Sequence, residues 1–425
     1  MQKFADYNFT GKRVLVRVDF NVPFDKSDSF ITDNSRIAKS VPTIQHIASH
    51  GGRVVLLSHM GRPKGKVDPK LSLGRIVQTV AALVGKHVSF CDDCIGEKAV
   101  EATKKLQNGE ILLLENVRFH AEDEGKVKQK EGESDADFQA RKQAMKDAQK
   151  AFAAQLAECG DCFVNDAFGA AHRAHASTSF IARYFPNDKM FGLLMEAELE
   201  ALSHVVEHPQ HPLLAIMGGA KVSDKILLIE NLLERVDKLI IGGGMTYTFV
   251  RAMGGHTGNS LCEEDRLDVA RSILEKAKAK GVELVLPVDA VNADKFNPEA
   301  QCGSSPVDAT PDGWMGLDIG KESRKLFHSK IMESKTILWN GPMGVFEMKP
   351  FSEGTFAVAE ALADATANGA YTLVGGGDSV AALKVAGCEN RVSYVSTGGG
   401  AMLEYLEGKK LPGVEAILHL PLSQL

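Results

Sequence analysis

Short runs of β-branched and aliphatic residues alternate along this chain with glycine-rich or polar turns, and then with longer stretches of helical periodicity. In the first half the runs are Lys12–Val18, Arg53–Ser58, His87–Phe90, Glu110–Leu114 and Cys162–Val164. Several are apolar without alternation, as strands buried on both faces of a parallel sheet are. Helical stretches such as Ile37–His50 and Leu73–Gly85 lie between them. The second half repeats the pattern at Leu213–Met217, Lys238–Ile241, Val282–Leu286, Thr336–Trp339, Ala370–Val374 and Val392–Val395. The alternation predicts an α/β fold built of βαβ units in doubly wound parallel sheets.

Between the halves, Phe191–Val206 places Leu194, Ala197, Ala201 and Val205 on one helical face, and Pro209 and Pro212 stop the helix soon after. One sheet holding all of these strands would be unusually wide. The pattern therefore predicts two such domains joined by a bridging helix and hinge. Residues 1–186 form the first domain, 187–207 the inter-domain helix and 208–404 the second domain. The highly charged segment Glu122–Lys150 becomes helical from about Ala136, with Met145, Ala148, Phe152 and Leu156 at helical spacing. Its charges are read as a solvated face with no partner implied.

Composition narrows the class. A length of 425 residues suits two or three domains, and 44% hydrophobic with 24% charged residues excludes a disordered chain. Lys and Arg number 49 against 55 Asp and Glu, a net charge of -6, so no global basic field for nucleic acid exists. No apolar run is long enough for a membrane-spanning helix, and Met1–Thr10 lacks the apolar core of a secretory signal. Seven cysteines without such a signal are expected to be reduced thiols in a cytoplasm. Cys91 with Cys94, and Cys159 with Cys162, have CxxC spacing. The pairs lie far apart at the edges of strand-like runs, so free thiols are favoured over a four-thiolate zinc site.

Four strands of the second half run directly into glycines and then a helix: Gly218-Gly219, Gly242-Gly243-Gly244, Gly375-Gly376-Gly377 and Gly398-Gly399-Gly400. At the carboxyl end of a parallel strand, such turns let backbone N–H groups approach an anion, and the helix start adds positive partial charge. Four in one domain predict a nucleotide or polyphosphate site. Neither a GxxxxGK[ST] P-loop nor a GxGxxG at the first strand-to-helix turn is present, which argues against a P-loop NTPase and a dinucleotide dehydrogenase. Lys221 and Lys225, four apart, are expected to share a helical face aimed at phosphates. Asp378, after three glycines, is a candidate Mg²⁺ ligand, with a plain helix cap as its alternative role.

In the first half the strand ends carry Arg17, Asp19 and Asn21, then His59 and Arg62, then Arg118, then His172 and Arg173, with Arg36 before the first helix. A parallel sheet gathers these ends on one rim. Five arginines and two histidines there would form a local anion funnel suited to a small, multiply charged substrate. A rim of guanidinium groups in one domain and glycine turns in the other fit phosphoryl transfer between a nucleotide and a small anion. No general base stands near these motifs, which suits an acceptor that is already a carboxylate.

The chain resembles the phosphoglycerate kinase family over essentially its whole length, from Val14–Pro23 to Leu411–Ala416. The resemblance includes Ser58-His59-Met60-Gly61-Arg62-Pro63, Glu115-Asn116-Val117-Arg118-Phe119, Asn165-Asp166-Ala167-Phe168, Gly218-Gly219-Ala220-Lys221-Val222, Trp339-Asn340-Gly341-Pro342-Met343-Gly344 and Gly375-Gly376-Gly377-Asp378. It implies reversible phosphoryl transfer between 1,3-bisphosphoglycerate and ADP, giving 3-phosphoglycerate and ATP, with Mg²⁺. It further implies that Asp19, Asn21, Arg36, His59, Arg62, Arg118 and Arg173 bind the phosphoglycerate. Lys225, Gly316, Glu347, Gly376, Gly377, Asp378 and Ser379 would hold the nucleotide, with Glu347 on the ribose and Asp378 at the metal. Arg36, Lys221, Gly376 and Gly399 would serve the transferring group. A monomer whose lobes close by hinge bending is implied, with residues 405–425 packing back on the first lobe. The terminal Ser423-Gln424-Leu425 lacks the basic residue of a peroxisomal tripeptide, so the expected location stays cytoplasmic.

Overall fold

The computed structural model describes residues 3–418, so the Ser423-Gln424-Leu425 reading lies outside the described residues. The chain divides into two compact units. The first runs to Glu198 and takes up the chain again from Lys410; the second spans Leu199–Lys409.

The first unit is built on six strands: β1 (Arg13–Arg17), β2 (Arg53–Leu57), β3 (Val88–Cys91), β4 (Ile111–Leu114), β5 (Cys162–Asn165) and β6 (Lys189–Phe191). They pair in the order β3-β4-β2-β1-β5-β6, and every pairing is parallel. The central strands read as unbroken apolar runs because both faces are covered: Val14, Leu15, Val16, Val54, Val55, Leu56, Leu112 and Leu113 are all buried. One face packs against Ile37, Ile44 and Ile47 of the helix Ser35–Ser49 and against Val77, Val80 and Val84 of the helix Val77–Val84, with Phe4, Phe9 and Phe20 closing the core. β6 was not anticipated. It has only three residues and follows polar Asn187 and Asp188, so it carries no recognisable run.

From Asp135 the charged segment behaves as periodicity implies, forming the helix Asp135–Ala157, in which Phe152 and Leu156 are buried and most of the charges stay solvated. Ser134 caps it by accepting the Asp137 N–H. The start of the segment departs from a solvated face: Ala121–Glu124 is a short helix in which Asp123 is fully buried.

The second unit has its own six-stranded parallel sheet. Its members are β7 (Leu213–Met217), β8 (Lys238–Ile241), β9 (Glu283–Val285) and then, after an interruption, β13 (Thr336–Asn340), β14 (Tyr371–Val374) and β15 (Tyr394–Val395). The order is β15-β14-β13-β7-β8-β9, so the winding reverses between β7 and β13. The interruption is a three-stranded antiparallel sheet of β10 (Asp289–Ala293), β11 (Cys302–Pro306) and β12 (Met315–Ile319), in the order β11-β10-β12. Sequence patterning missed it, since Cys302-Gly303-Ser304-Ser305-Pro306 has no apolar face to bury. The core combines Leu214, Ile216, Ile337, Trp339 and Val374 with the helix Glu353–Ala367, whose Ala359, Ala361, Ala363 and Ala365 let it lie close.

The helix Leu193–Val206 carries the chain from one unit into the other. Its buried positions are Leu194, Met195, Glu198, Ala201, Leu202 and Val205, a wider stripe than the expected face, and Ala197 is only half-buried. Its start is fixed by Asp166, at the end of β5. Asp166 Oδ1 accepts the N–H groups of Leu194 and Met195 at 3.0 and 3.1 Å. The carboxyl is fully buried, and among the described residues its Oδ2 has no hydrogen-bond partner. Burial is the main reason that it is pushed up to about 7, with the neighbouring Glu196 charge adding to it and hydrogen bonds from Thr43 and the two N–H groups opposing it. The folded value lies above the unfolded one, so the stability this group contributes is complete below about pH 4 and is lost as pH rises through about 7. Asp166→Asn is expected to flatten that slope. Chemical denaturation should find that the stability of the parent falls by about 3 kcal/mol relative to the variant between roughly pH 4 and 8. Parallel pH profiles would contradict this assignment.

Candidate functional site

Because every strand of the first sheet runs the same way, the loops after β1, β2, β4 and β5 leave from one edge. Arg36, at the start of the helix Ser35–Ser49, reaches back to the loop after β1. Its Nη1 lies 3.3 Å from Asp19 Oδ2 and donates to Asn21 O at 3.0 Å. Asn21 Oδ1 in turn accepts the Gly61 N–H at 2.9 Å, and Arg118 Nη1 donates to Gly61 O at 3.0 Å. Asp19, Asn21, Arg36 and Arg118 are thus drawn into one network from three strand ends. Arg62 follows Gly61 directly and is exposed. Arg173 is exposed in the segment after the 3-10 turn Phe168–Ala170.

Two rim residues behave differently from the expectation. Arg17 is not a surface cation but fully buried, donating to Val18 O, to Ser177 Oγ at 3.0 Å and to His59 Nδ1 at 3.2 Å. It ends β1 with its side chain directed into the protein, so the funnel loses one of its arginines. Burial pulls its pKa down to about 10, with Asp123 and Asp19 opposing, which leaves it charged at neutral pH. His59, buried beside it, is held well below the usual imidazole range by burial and by the nearby Arg118 and Arg17 charges. A neutral ring that accepts at Nδ1 from Arg17 carries its proton on Nε2.

In the second unit, the loops after β7 and β13 meet where the winding reverses, the place where open α/β sheets bind ligands. Gly218 N donates to Asn340 O at 2.8 Å, and Gly219 N to Pro342 O at 3.2 Å. The loops approach so closely that a Cβ on Gly218 would lie 2.1 Å from Pro342 O. Asn340 is the centre of this junction. Its Oδ1 accepts from Lys225 Nζ and its Nδ2 donates to Gly375 O at 2.8 Å. Gly341 N donates to the buried Ser379 Oγ at 2.6 Å. Gly376 has φ +94° and stands where a Cβ would meet Asn340 Nδ2 at 2.4 Å. Gly377 opens the helix Gly377–Val385 with Asp378 in its first turn, and Gly399 precedes the helix Gly400–Leu406.

Beside this junction lies a cavity of about 570 Å³. Its wall includes Gly219, Gly243, Gly244 and Tyr247, then Gly316 and Asp318 of β12, and Glu347 and Asp378 at its border. Six of the expected nucleotide residues are therefore within one neighbourhood: Gly316, Glu347 and Asp378 on the wall, Lys225 and Gly376 against Asn340, and Ser379 bonded to Gly341. Lys221 and Lys225 do not share a helical face. They occupy a turn, because the helix begins only at Ile226 with Lys225 as its cap. The result is a division: Lys221 is exposed, whereas burial holds the Lys225 ammonium below its usual range.

Sequence reasoning assigned no role to Asn340, Tyr247 or Asp318. Asn340 lies within a quoted motif, yet nothing in the motif says that its amide joins three loops. Asp318 accepts the N–H groups of Ile319 and Gly354 at 2.9 and 2.8 Å, and burial pushes its carboxyl up to about 7. Tyr247 packs so tightly over Gly316 that its hydroxyl would lie 1.6 Å from a Cβ there. The exposed carboxylates on the cavity wall, Asp378 and Glu347, offer oxygen donors only, and Asp378 beside the glycine turn fits a hard cation held jointly with phosphate oxygens and water.

The family model described as phosphoglycerate kinase matches residues 4–409. A phosphoglycerate kinase of Porphyromonas gingivalis is 55% identical over 414 residues, covering 97% of this chain and 98% of that protein. One from Microcystis aeruginosa is 50% identical over 413 residues, covering 97% of each. Among solved structures, phosphoglycerate kinase from Coxiella burnetii superposes with a TM-score of 0.84 at 39% identity, covering 98% of both chains. That from Pyrococcus horikoshii gives 0.80 at 30% identity with the same coverage.

The close approach of the β7 and β13 loops makes a direct prediction. Gly218→Ala is expected to force the loops apart, lower stability by about 1–3 kcal/mol and weaken ATP binding about tenfold or more. Thermal unfolding and calorimetry with ATP would measure both; unchanged ATP affinity would show that the junction does not shape the cavity.

Proposed function

The chain belongs to the phosphoglycerate kinase family, and from that membership we infer that it transfers a phosphoryl group reversibly between 1,3-bisphosphoglycerate and ADP, giving 3-phosphoglycerate and ATP. The single observation that carries this reading is the pairing of two anion-binding surfaces of different chemistry. One unit offers Arg36 and Arg118 tied into a rim with Asp19 and Asn21; the other offers glycine turns around a cavity bordered by Asp378 and Glu347.

In this mechanism Arg62, Arg118, Arg173 and Arg36 grip the phosphate and carboxylate of 3-phosphoglycerate, with Asn21 and the Nε2–H of neutral His59 as neutral donors and Asp19 as an acceptor. Lys225, Gly316, Gly377 and Ser379 hold the nucleotide, and Glu347 accepts from its ribose hydroxyls. Asp378 would hold Mg²⁺, which when bound neutralises charge on the nucleotide phosphates. The acceptor oxygen is already anionic at neutral pH, so no base has to remove a proton. Lys221 and Arg36, together with N–H groups at Gly376 and Gly399, meet the charge on the oxygens of the transferring group, which is where positioned donors lower the barrier most. Bending about residues 187–207 brings the two units onto their substrates and keeps water from the transferred group. The enzyme acts as a cytoplasmic monomer. Among the described residues no helix is long and apolar enough to cross a membrane.

Two measurements test these roles. Lys221→Ala should lower kcat by ~10²–10³-fold and change KM for ATP by no more than about threefold, because its charge is needed only in transit. A matched loss in kcat and affinity would move Lys221 to ground-state binding. Arg62→Ala should weaken 3-phosphoglycerate binding in calorimetry by ~10–100-fold and leave ATP affinity within about twofold. A large fall in ATP affinity would break the division of labour between the units.

A further inference from the structure

Apart from the guanidinium rim, the first unit gathers a second set of ligand-type side chains at the outer part of its sheet. β3 is the edge strand and β4 its neighbour, so their carboxyl ends emerge side by side. The loop after β3 carries Asp93 and Cys94, and the 3-10 turn Val117–Phe119 after β4 delivers His120. One carboxylate oxygen of Asp93, Cys94 Sγ and one ring nitrogen of His120 lie within 4.8 Å of one another. His120 Nε2 and Asp93 Oδ1 are 3.3 Å apart.

Local contacts already hold these groups in place. The His120 ring packs on Phe152 with centroids 5.0 Å apart, and Asp93 Oδ1 accepts the Cys94 N–H at 2.7 Å. Cys94 is fully buried, whereas the side chains of His120 and Asp93 are 30% and 45% exposed. The cluster is therefore closed on its sulfur side and open to solvent on the other.

We propose that Asp93, Cys94 and His120 form a binding site for a borderline-soft divalent cation, zinc foremost, with water completing a four-coordinate shell. This is not the four-thiolate arrangement that CxxC spacing brings to mind, since two of its three ligands are imidazole and carboxylate. Ligands of a tetrahedral zinc ion stand about 3.3–3.8 Å apart, so side-chain shifts of about 1 Å convert the present geometry into a coordinating one. Sulfur and nitrogen donors select zinc over magnesium, which keeps the site separate from the cation demanded by the nucleotide. Binding replaces the Cys94 thiol proton, which is released to solvent. The thiolate and the Asp93 carboxylate together then balance the charge of the cation. Adjacent residues supply two ligands and a loop on the next strand the third, so little chain entropy is lost on binding.

The test is titration of the untagged full chain with Co²⁺, followed by competition with Zn²⁺. One equivalent of Co²⁺ is expected to raise a thiolate-to-metal charge-transfer band with the strong visible bands of a four-coordinate ion, and Zn²⁺ should abolish both. Cys94→Ser should lose the charge-transfer band. His120→Ala and Asp93→Asn alter partly exposed side chains, leave folding intact by circular dichroism, and should weaken cobalt binding about tenfold or more. Absence of the band in the parent chain, its survival in Cys94→Ser, or unchanged affinity in His120→Ala would overturn the site.

Discussion

Parallel strand pairing is the constraint from which the rest of this structure follows. In a sheet whose strands all run one way, each return crossing must pass over a face, so both faces are covered and all outgoing loops leave from the same edge. In the first unit this edge collects Asp19 and Asn21 after β1, His59 and Arg62 after β2, and Arg118 after β4. In the second it collects Gly218 after β7, Asn340 at the end of β13 and Gly376 after β14. Residues far apart in sequence become neighbours without any long-range instruction beyond register. The antiparallel insertion β10–β12 is the exception that extends the scheme: it brings Gly316 and Asp318 to the cavity wall from outside the main sheet.

Gathering polar loops on an edge leaves ionisable groups buried, and the structure meets that burden in two ways. Arg17 keeps its charge because its donors reach Val18 O, Ser177 Oγ and His59, while Asp123 and Asp19 counter it through space. Asp166 and Asp318 take the other course. Each is supported by two backbone N–H groups, yet burial outweighs that support and raises the carboxyl toward neutrality. Both sit where the backbone must be held rather than where chemistry occurs. Asp166 starts the helix that leaves the first unit, and Asp318 braces Gly354 at the head of the helix Glu353–Ala367.

Much of this was legible in the sequence, because buried parallel strands advertise themselves. β7 and β8 match their apolar runs residue for residue, and the central strands of the first sheet differ only at their ends. The glycine turns were legible for a related reason, since they occupy the positions at which strand ends must meet other backbone. What escaped has no hydrophobic signature. β6 is too short, and β11 alternates between exposed and half-exposed small residues. The direction of a side chain is hidden as well. Arg17 and Arg36 read alike as rim cations, yet one is enclosed and the other half-exposed, because position in the fold rather than residue type decides the outcome: Arg17 ends a central strand and Arg36 opens a helix. Lys221 and Lys225 read as one helical face, but the turn that holds Lys225 against Asn340 delays the helix.

In the proposed function the two units would solve anion binding by opposite means, and the difference would follow from what each must hold. A backbone amide in a glycine turn is fixed before a ligand arrives, so it surrenders no side-chain freedom and can line an extended polyphosphate at close range. It has little reach, however, and every such turn needs a position like Gly376, where a side chain would collide with Asn340. A guanidinium reaches further and grips two oxygens at once, which suits a small substrate with charges at both ends, but it must be restrained to be effective. Arg36 is restrained by Asp19 and by Asn21 O, and Arg118 by Gly61 O. In the proposed role of Arg36, Asp19 would have two consequences that pull against each other: it would lower the entropy lost when Arg36 meets an anion, and it would subtract one charge from the rim. Arg36 could hold both partners because the guanidinium has five donors and, among the described residues, Asp19 and Asn21 engage only Nη1, which would leave the remaining N–H groups for an incoming oxygen.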